Sequence, residues 1–262
     1  MTTATIAAGW SPARAYLLEA RYEFLKLLRM PGYAVPSISF PAMFYLLFGV
    51  LFGGRSLGGA SLTTYLLATY GTFGVIGAAL FGFGVAVAIE RGQGWMMLKR
   101  ASPMPPMAFF VAKLFMCAMF ALTIFSVLAM LGVGFGGVRL PPLTWLRLGA
   151  TLVLGALPFC AIGLGLGYVL GPNSAVPIVN LLYLPMSFLS GLWIPYEALP
   201  GAVRAIAPFL PAYHLAQLAL GAIGLGAGQP AWGHVIALAG FACLGLAFAL
   251  YGYRRDEDRT WG

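Results

Sequence analysis

Glu90-Arg91-Gly92-Gln93-Gly94-Trp95-Met96-Met97-Leu98-Lys99-Arg100-Ala101-Ser102-Pro103-Met104-Pro105-Pro106 is the stretch that decides the fold. It sets Glu90, Arg91, Lys99 and Arg100 between two long apolar runs, Leu62 to Ile89 and Met107 to Phe135. Each run exceeds the ~20 apolar residues that cross a bilayer core. The polar break is therefore an elbow at a membrane surface, punctuated by glycine and proline. A soluble partner could grip two spanning helices there at once.

The composition agrees. Only 8% of the 262 residues are charged and 61% are hydrophobic, whereas a soluble domain carries ~25% charged residues. Hydrocarbon is the expected solvent for much of the chain. The net charge of +8 does not indicate nucleic acid, because the basic residues sit at the ends of apolar runs and form no continuous stripe. That placement suits anionic headgroups and the positive-inside rule.

Working outward, Ser11-Pro12 starts a helix, with Ser as N-cap and Pro at the first helical position. At about 100° per residue, Ala13, Tyr16, Leu17, Ala20, Phe24, Leu27 and Leu28 share one face. Arg14, Glu19, Arg21, Glu23, Lys26 and Arg29 take the other. This predicts an amphipathic helix lying in the interface, ended by Pro31-Gly32. Six spans follow near Tyr33–Phe52, Leu62–Ile89, Met107–Phe135, Trp145–Leu170, Ala175–Trp193 and Ala231–Tyr253. With the N-terminus inside, Arg14, Arg21, Lys26, Arg29, Arg91, Lys99, Arg100, Lys113, Arg254, Arg255 and Arg259 fall on the cytoplasmic side. Only Arg55, Arg139, Arg147 and Arg204 fall outside, so both termini are expected inside. The first apolar run and the charged helix behind it do not read as a signal peptide.

Between Ile194 and Gln229, prolines at 195, 200, 208 and 211 divide two apolar pieces, Leu199–Leu210 and Ala212–Leu225. Both are shorter than a span, which predicts a re-entrant hairpin in the outer leaflet. Counting the second as a seventh span would move the C-terminal arginines outside. Gly74, Ala78 and Gly82, and again Gly163 and Gly167, repeat at the four-residue spacing that lets helices approach closely in lipid. Cys117, Cys160 and Cys243 lie in apolar runs without a CxxC pair and read as small buried hydrophobes.

Reacting groups for an enzyme are hard to find. Glu90 and Glu197 fall on opposite sides of the membrane, and the other acidic residues lie on the first helix or in the tail. His214 and His234 lack metal-ligand spacing. Ser190-Gly191 does not fit an intramembrane serine protease, because Phe188 stands where such a motif wants glycine. No P-loop is present. Mid-membrane polar residues such as Thr69, Thr72, Asn180 and Ser187 are neutral, and Lys113 and Arg147 sit near span ends where they can snorkel. A nucleotide-independent channel or secondary transporter stays open as the alternative, though ion-coupled carriers usually hold charge at mid-membrane.

Three blocks resemble the ABC-2 type permeases, the membrane subunits of bacterial ATP-binding-cassette exporters. They are Leu25 to Gly32 running into Phe40 to Gly49; Glu90-Arg91 with Gly94-Trp95, Arg100, Ser102-Pro103, Pro105-Pro106 and Lys113; and Ser190 to Pro195 with Leu199-Pro200 and Pro211-Ala212-Tyr213-His214. Phe209-Leu210-Pro211 departs from the more usual Asn-Pro of that turn. The resemblance implies a single all-α domain over residues 1–262. Residues 11–31 would form a connecting helix, 33–253 a six-span region and 254–262 a cytoplasmic tail. It further implies a plasma-membrane location, a second permease copy (the same or a related chain) and a separate P-loop ATPase that holds the ATP and Mg. No cofactor is expected on this chain. Trp95 to Ala101 would be the helix inserting into the ATPase. Glu90, Arg91, Trp95, Leu98 and Arg100 would carry coupling, and Phe209, Tyr213 and Leu215 would close an outer gate. Cargo would be a hydrophobic or amphipathic compound, such as a drug, an antibiotic or a lipid-like molecule, moved out of the cytoplasm or inner leaflet.

Overall fold

Proline sets the starts of the helices. In the computed structural model, which describes residues 12–51, 56–57, 60–96, 98, 105–226 and 230–260, nine α-helices open within one residue of a proline. Proline fits there because its missing N–H is one a helix start cannot use. Helix α1 is Pro12–Leu28. Helix α2, Pro31–Phe44, runs on through a π turn at Tyr45–Val50. After a short ladder pairing β1, Ser56–Leu57, with β2, Ala60–Ser61, α3 spans Leu62–Ala79, capped by the Ser61 hydroxyl accepting from the Thr64 N–H. A second π turn at Leu80–Val85 joins α3 to α4, Ala86–Gly92. Then come α5, Pro106–Gly134; α6, Pro142–Gly155; α7, Leu157–Val169; and α8, Pro172–Leu189. The chain ends with α9, Gly201–Ile206; α10, Pro211–Ala222; and α11, Ala231–Thr260.

Among the described residues the protein is all-helical apart from that ladder, with five to six helices able to span a membrane. Five pass on length and hydropathy: Pro31–Gly49, Leu62–Gly92, Met107–Gly134, Pro142–Val169 and Ala231–Arg255. These sit within a few residues of the runs read from the sequence. Helix α8 falls outside that group because two asparagines and three prolines lower its hydropathy. Its 18 residues still measure ~27 Å at 1.5 Å per residue. The segment Gly201–Phe209 meets α10 at 93°, so the region after α8 is bent sharply at Leu210-Pro211.

Span two is the axis of the bundle. It is 83% buried, against 22% for the last span. Its glycines explain how neighbours come so near. A Cβ at Gly74 would lie 2.8 Å from Ile124 Cγ2, and one at Gly82 would lie 2.9 Å from the Tyr33 hydroxyl. Gly84 and Gly163 bring two backbones together: a Cβ on Gly163 would sit 3.1 Å from the Gly84 nitrogen. The small-residue spacing is thus used for packing, as expected in lipid. The largest helix contact, α7 with α11, rests on Gly245, whose added Cβ would fall 2.7 Å from the Ile162 nitrogen.

Two expectations are corrected. Cys117 and Cys160 are buried, but Cys243 is exposed, because α11 packs through only one narrow side. On α1, the buried residues are Ala15, Ala20, Glu23 and Leu27, while Leu17 is 71% exposed. The packed stripe is rotated so that Glu23, assigned above to the polar face, points inward. Its partner on α5 supplies the reason.

Candidate functional site

That partner is Lys113, about two turns into α5 and fully buried. Its ammonium donates to Glu23 Oε1 at 2.5 Å and to Glu90 Oε1 at 3.1 Å, and it lies 5.0 Å from the centre of the Phe109 ring. Lys26, one turn beyond Glu23, bonds Glu90 as well and reaches Glu23 Oε2 at 3.3 Å. Two carboxylates and two ammonium groups therefore meet at the point where α1, α4 and α5 come together. A buried carboxylate without a cation would cost several kcal/mol, so the four charges are retained together or not at all. Lys113 does not snorkel: it is pulled inward by two carboxylates from other elements.

Arg91 follows Glu90 by one residue, about 100° round the helix, and grips the opposite side. Its guanidinium donates to the carbonyls of Tyr168 and, at 2.7 Å, of Leu170. These carbonyls belong to the end of α7, where a helix offers no donor of its own and a cation is favoured by the dipole. Gly92 touches the start of α8 so closely that a Cβ would lie 2.6 Å from Pro172 Cγ. The last turn of α4 is thus fixed to α1 and α5 on one side and to α7 and α8 on the other.

Beyond this clamp the chain turns outward. Gly94 has φ of 77°, a left-handed value that glycine takes without penalty. Trp95 is 49% and Leu98 71% exposed. Trp95 also walls a hollow of about 470 Å³ against the charged face of α1, at Glu19, Tyr22, Lys26 and Arg29. The elbow so presents two large apolar side chains beside a charged helix. Of the five expected coupling residues, Glu90 and Arg91 are internal ties, Trp95 and Leu98 form an outer surface, and Arg100 lies outside the described residues.

At the other end of the bundle the three expected gate residues separate. Phe209 is 77% exposed at the bend. Tyr213 is buried against Tyr196, with ring centres 5.2 Å apart. Leu215 is fully buried against Gly155 of the same chain. His214 and His234, twenty residues apart, meet with Nδ1 atoms at 2.9 Å, and His214 Nε2 bonds the Pro208 carbonyl at 2.9 Å. The Nε2–H of His214 donates to that carbonyl, so its Nδ1 accepts from His234. This bond ties α10 to α11. Among the described residues no three His, Cys, Asp or Glu side chains could hold a metal ion together.

Sequence reading missed Lys113, Glu23 and Lys26 as a unit, and missed the histidine pair. A lysine six residues inside an apolar run was the one available signal for the first. Nothing local marked the second.

Comparison with known proteins fits this arrangement. The chain is 26% identical over 235 residues to a Bacillus subtilis (strain 168) protein named "Putative transport permease YvfS", covering 90% of this chain and 95% of that one. Residues 15–223, from α1 through α10, match the family described as ABC-2 type transporter. The match takes in the clamp, the elbow and the bent segment together, and the chain belongs to the ABC-2 type transporter family, as a multi-span membrane transport permease.

Proposed function

We propose that this chain is the membrane subunit of an ATP-driven exporter in a bacterial plasma membrane, working with a separate P-loop ATPase and a second permease copy, identical or related. The carrying observation is the contrast at the elbow. Trp95 and Leu98 are exposed where a partner can seat, and the helix they continue is held to four others through Glu90, Arg91 and Gly92. A passive channel has no need of such a handle. ATP-driven closure of the partner would push the elbow. The clamp would pass that push to α1, α5, α7 and α8 as one body. The equilibrium between pathway states would then shift by the difference in the partner's affinity for them.

In this reading the elbow, α1 and both termini are cytoplasmic, as the lysine and arginine count requires. The span after α5 is broken at Ala156 and α8 is the fifth span. The Gly201–Ala222 segment folds back at the outer face, with Phe209 as its exposed tip. ATP and Mg belong to the partner. The cargo is a hydrophobic or amphipathic compound leaving the cytoplasm or inner leaflet.

The test is co-expression with the ATPase of the same operon, purification of the complex, and ATP-dependent uptake of candidate compounds into inverted vesicles. The expected result is a stable complex whose hydrolysis rises several-fold with cargo. Failure of any ATPase to bind, with transport surviving without nucleotide, would favour the secondary transporter. Orientation has its own test. Single cysteines at Ser61 and Gly137 in a cysteine-free background should react with an impermeant maleimide on intact cells. Cysteines at Gln93 and Gly262 should react only after permeabilisation. Labelling of Gly262→Cys from outside would overturn the six-span arrangement.

A further inference from the structure

A pair of imidazoles ties the bent segment to the last span. His214 lies in the first turn of α10 and His234 in the first turn of α11, with their Nδ1 atoms 2.9 Å apart. His214 Nε2 lies 2.9 Å from the Pro208 carbonyl, in the turn before α10. A carbonyl only accepts, so His214 keeps a proton at Nε2 and bares a lone pair at Nδ1. The Nδ1–H of His234 fills that lone pair. The tie exists only while His214 Nδ1 carries no proton. The tied segment has a joint on either side: the 93° bend ahead of Pro211, and Gly224, whose φ is 82°.

The two rings answer acid differently. A first proton can settle on His234 Nε2 and leaves the Nδ1–Nδ1 bond in place, now charge-assisted. A second has only His214 Nδ1. There two N–H groups would face each other on two charged rings. Once the rings part, each takes its proton separately. The open form therefore binds one proton more than the tied form, and acid draws the equilibrium towards opening. The surroundings offer no counter-charge. Tyr213 packs on both rings, its centre 5.5 Å from His214 and 5.9 Å from His234. Tyr65 of α3 accepts from the Tyr196 N–H, and the Tyr196 hydroxyl donates to the Arg204 carbonyl. Tyr70 of α3 and Tyr183 of α8 donate to the Trp193 and Phe73 carbonyls. Arg147 of α6, Glu197 and Arg204 are exposed. Among the described residues none of these forms an ion pair or hydrogen bond with either imidazole.

We propose that the His214–His234 pair is a proton-operated latch. Acid unties α10 and the turn before it from α11, and His214 is the ring that senses it. Opening needs neither nucleotide nor a partner subunit. In the export reading the latch lies on the outer face, so external acid would loosen the fold-back there.

The experiment uses the permease alone in phosphatidylcholine nanodiscs, with nitroxides on Phe209→Cys and Ile236→Cys in a cysteine-free background. Both positions are exposed. Double electron–electron resonance is read in steps from pH ~7.5 to pH ~5, on either side of the ~6.5 of a free imidazole. A second, longer distance should appear on acidification. Its share should grow about fivefold or more across that range, within the limit of about tenfold per pH unit that one proton allows. A control pair at Leu122→Cys and Leu154→Cys, on α5 and α6, should keep its distance. His214→Asn offers His234 an oxygen that takes up no proton, so the short distance should persist throughout. His234→Asn keeps an amide donor for His214 Nδ1, so the acid response should survive. His214→Phe removes the acceptor and should show the long distance at every pH. An unchanged distance in the parent would overturn the proposal, as would equal movement of the control pair. So would an acid response that survives in His214→Asn or is lost in His234→Asn. Loss of ATPase association in a separate pull-down would sink the exporter reading and leave the latch standing.

Discussion

Lys113→Met should be the most destabilising single change in the membrane region. It leaves Glu23 and Glu90 buried, both facing the vacated ammonium position, and removes a bond from each. Breaking a buried ion pair by removing one member commonly costs ~3–5 kcal/mol, because the other charge stays buried and unpaired. Most of a membrane protein's margin could go with it. The variant should express poorly and melt many degrees lower in detergent. Lys113→Arg keeps the charge but must fit a planar fork where a point charge sits, so a smaller loss is expected. The informative variant is the triple change Lys113→Met, Glu23→Gln, Glu90→Gln. Neutral, well-packed replacements of a buried charge cluster are often neutral or stabilising. It should recover the fold while substrate-stimulated ATP hydrolysis stays low. If Lys113→Met alone melts with the parent protein, the quartet is not holding α1 to α5.

What the sequence carried and what it hid follow a physical line. Helix starts were legible because proline and N-cap chemistry are local, as at Pro31, Pro142 and Ser61. Span limits were legible because a bilayer demands a continuous apolar length. The wheel for α1 failed at Glu23 because it weighs each residue against a uniform solvent. It cannot know that a lysine 90 residues away awaits a carboxylate. The same blindness let Lys113 read as a snorkelling side chain, and it hid the packing of Tyr213 and Leu215. Their burial depends on Tyr196 and Gly155, which no periodicity connects to them. Glu90 and Arg91 were found by their place at the elbow. Their roles as opposing ties on adjacent residues appear only once α7 and α5 are set on either side.

Trp95→Ala should then separate docking from transmission. Trp95 and Leu98 lie outside the clamp and are exposed in the single chain, so truncating either should leave the melting temperature within a degree or two. At a seated interface a buried tryptophan is commonly worth ~2 kcal/mol or more, which is about 30-fold in affinity. Titration of the ATPase onto Trp95→Ala permease should show that loss. Leu98→Ala should show less, because leucine is seldom the dominant anchor of an interface. Arg91→Ala makes the contrast. It removes the tie to the Tyr168 and Leu170 carbonyls but leaves the outer surface alone, so the ATPase should still bind with near-parental affinity. Its basal hydrolysis should persist while stimulation by cargo falls, because a push on the elbow is no longer carried to α7 by that tie. Two different losses from residues four apart would mean that the elbow is gripped at Trp95 and transmits at Arg91. Unchanged affinity in Trp95→Ala and Leu98→Ala would place the ATPase elsewhere on the charged face, with α1 as the remaining surface beside it.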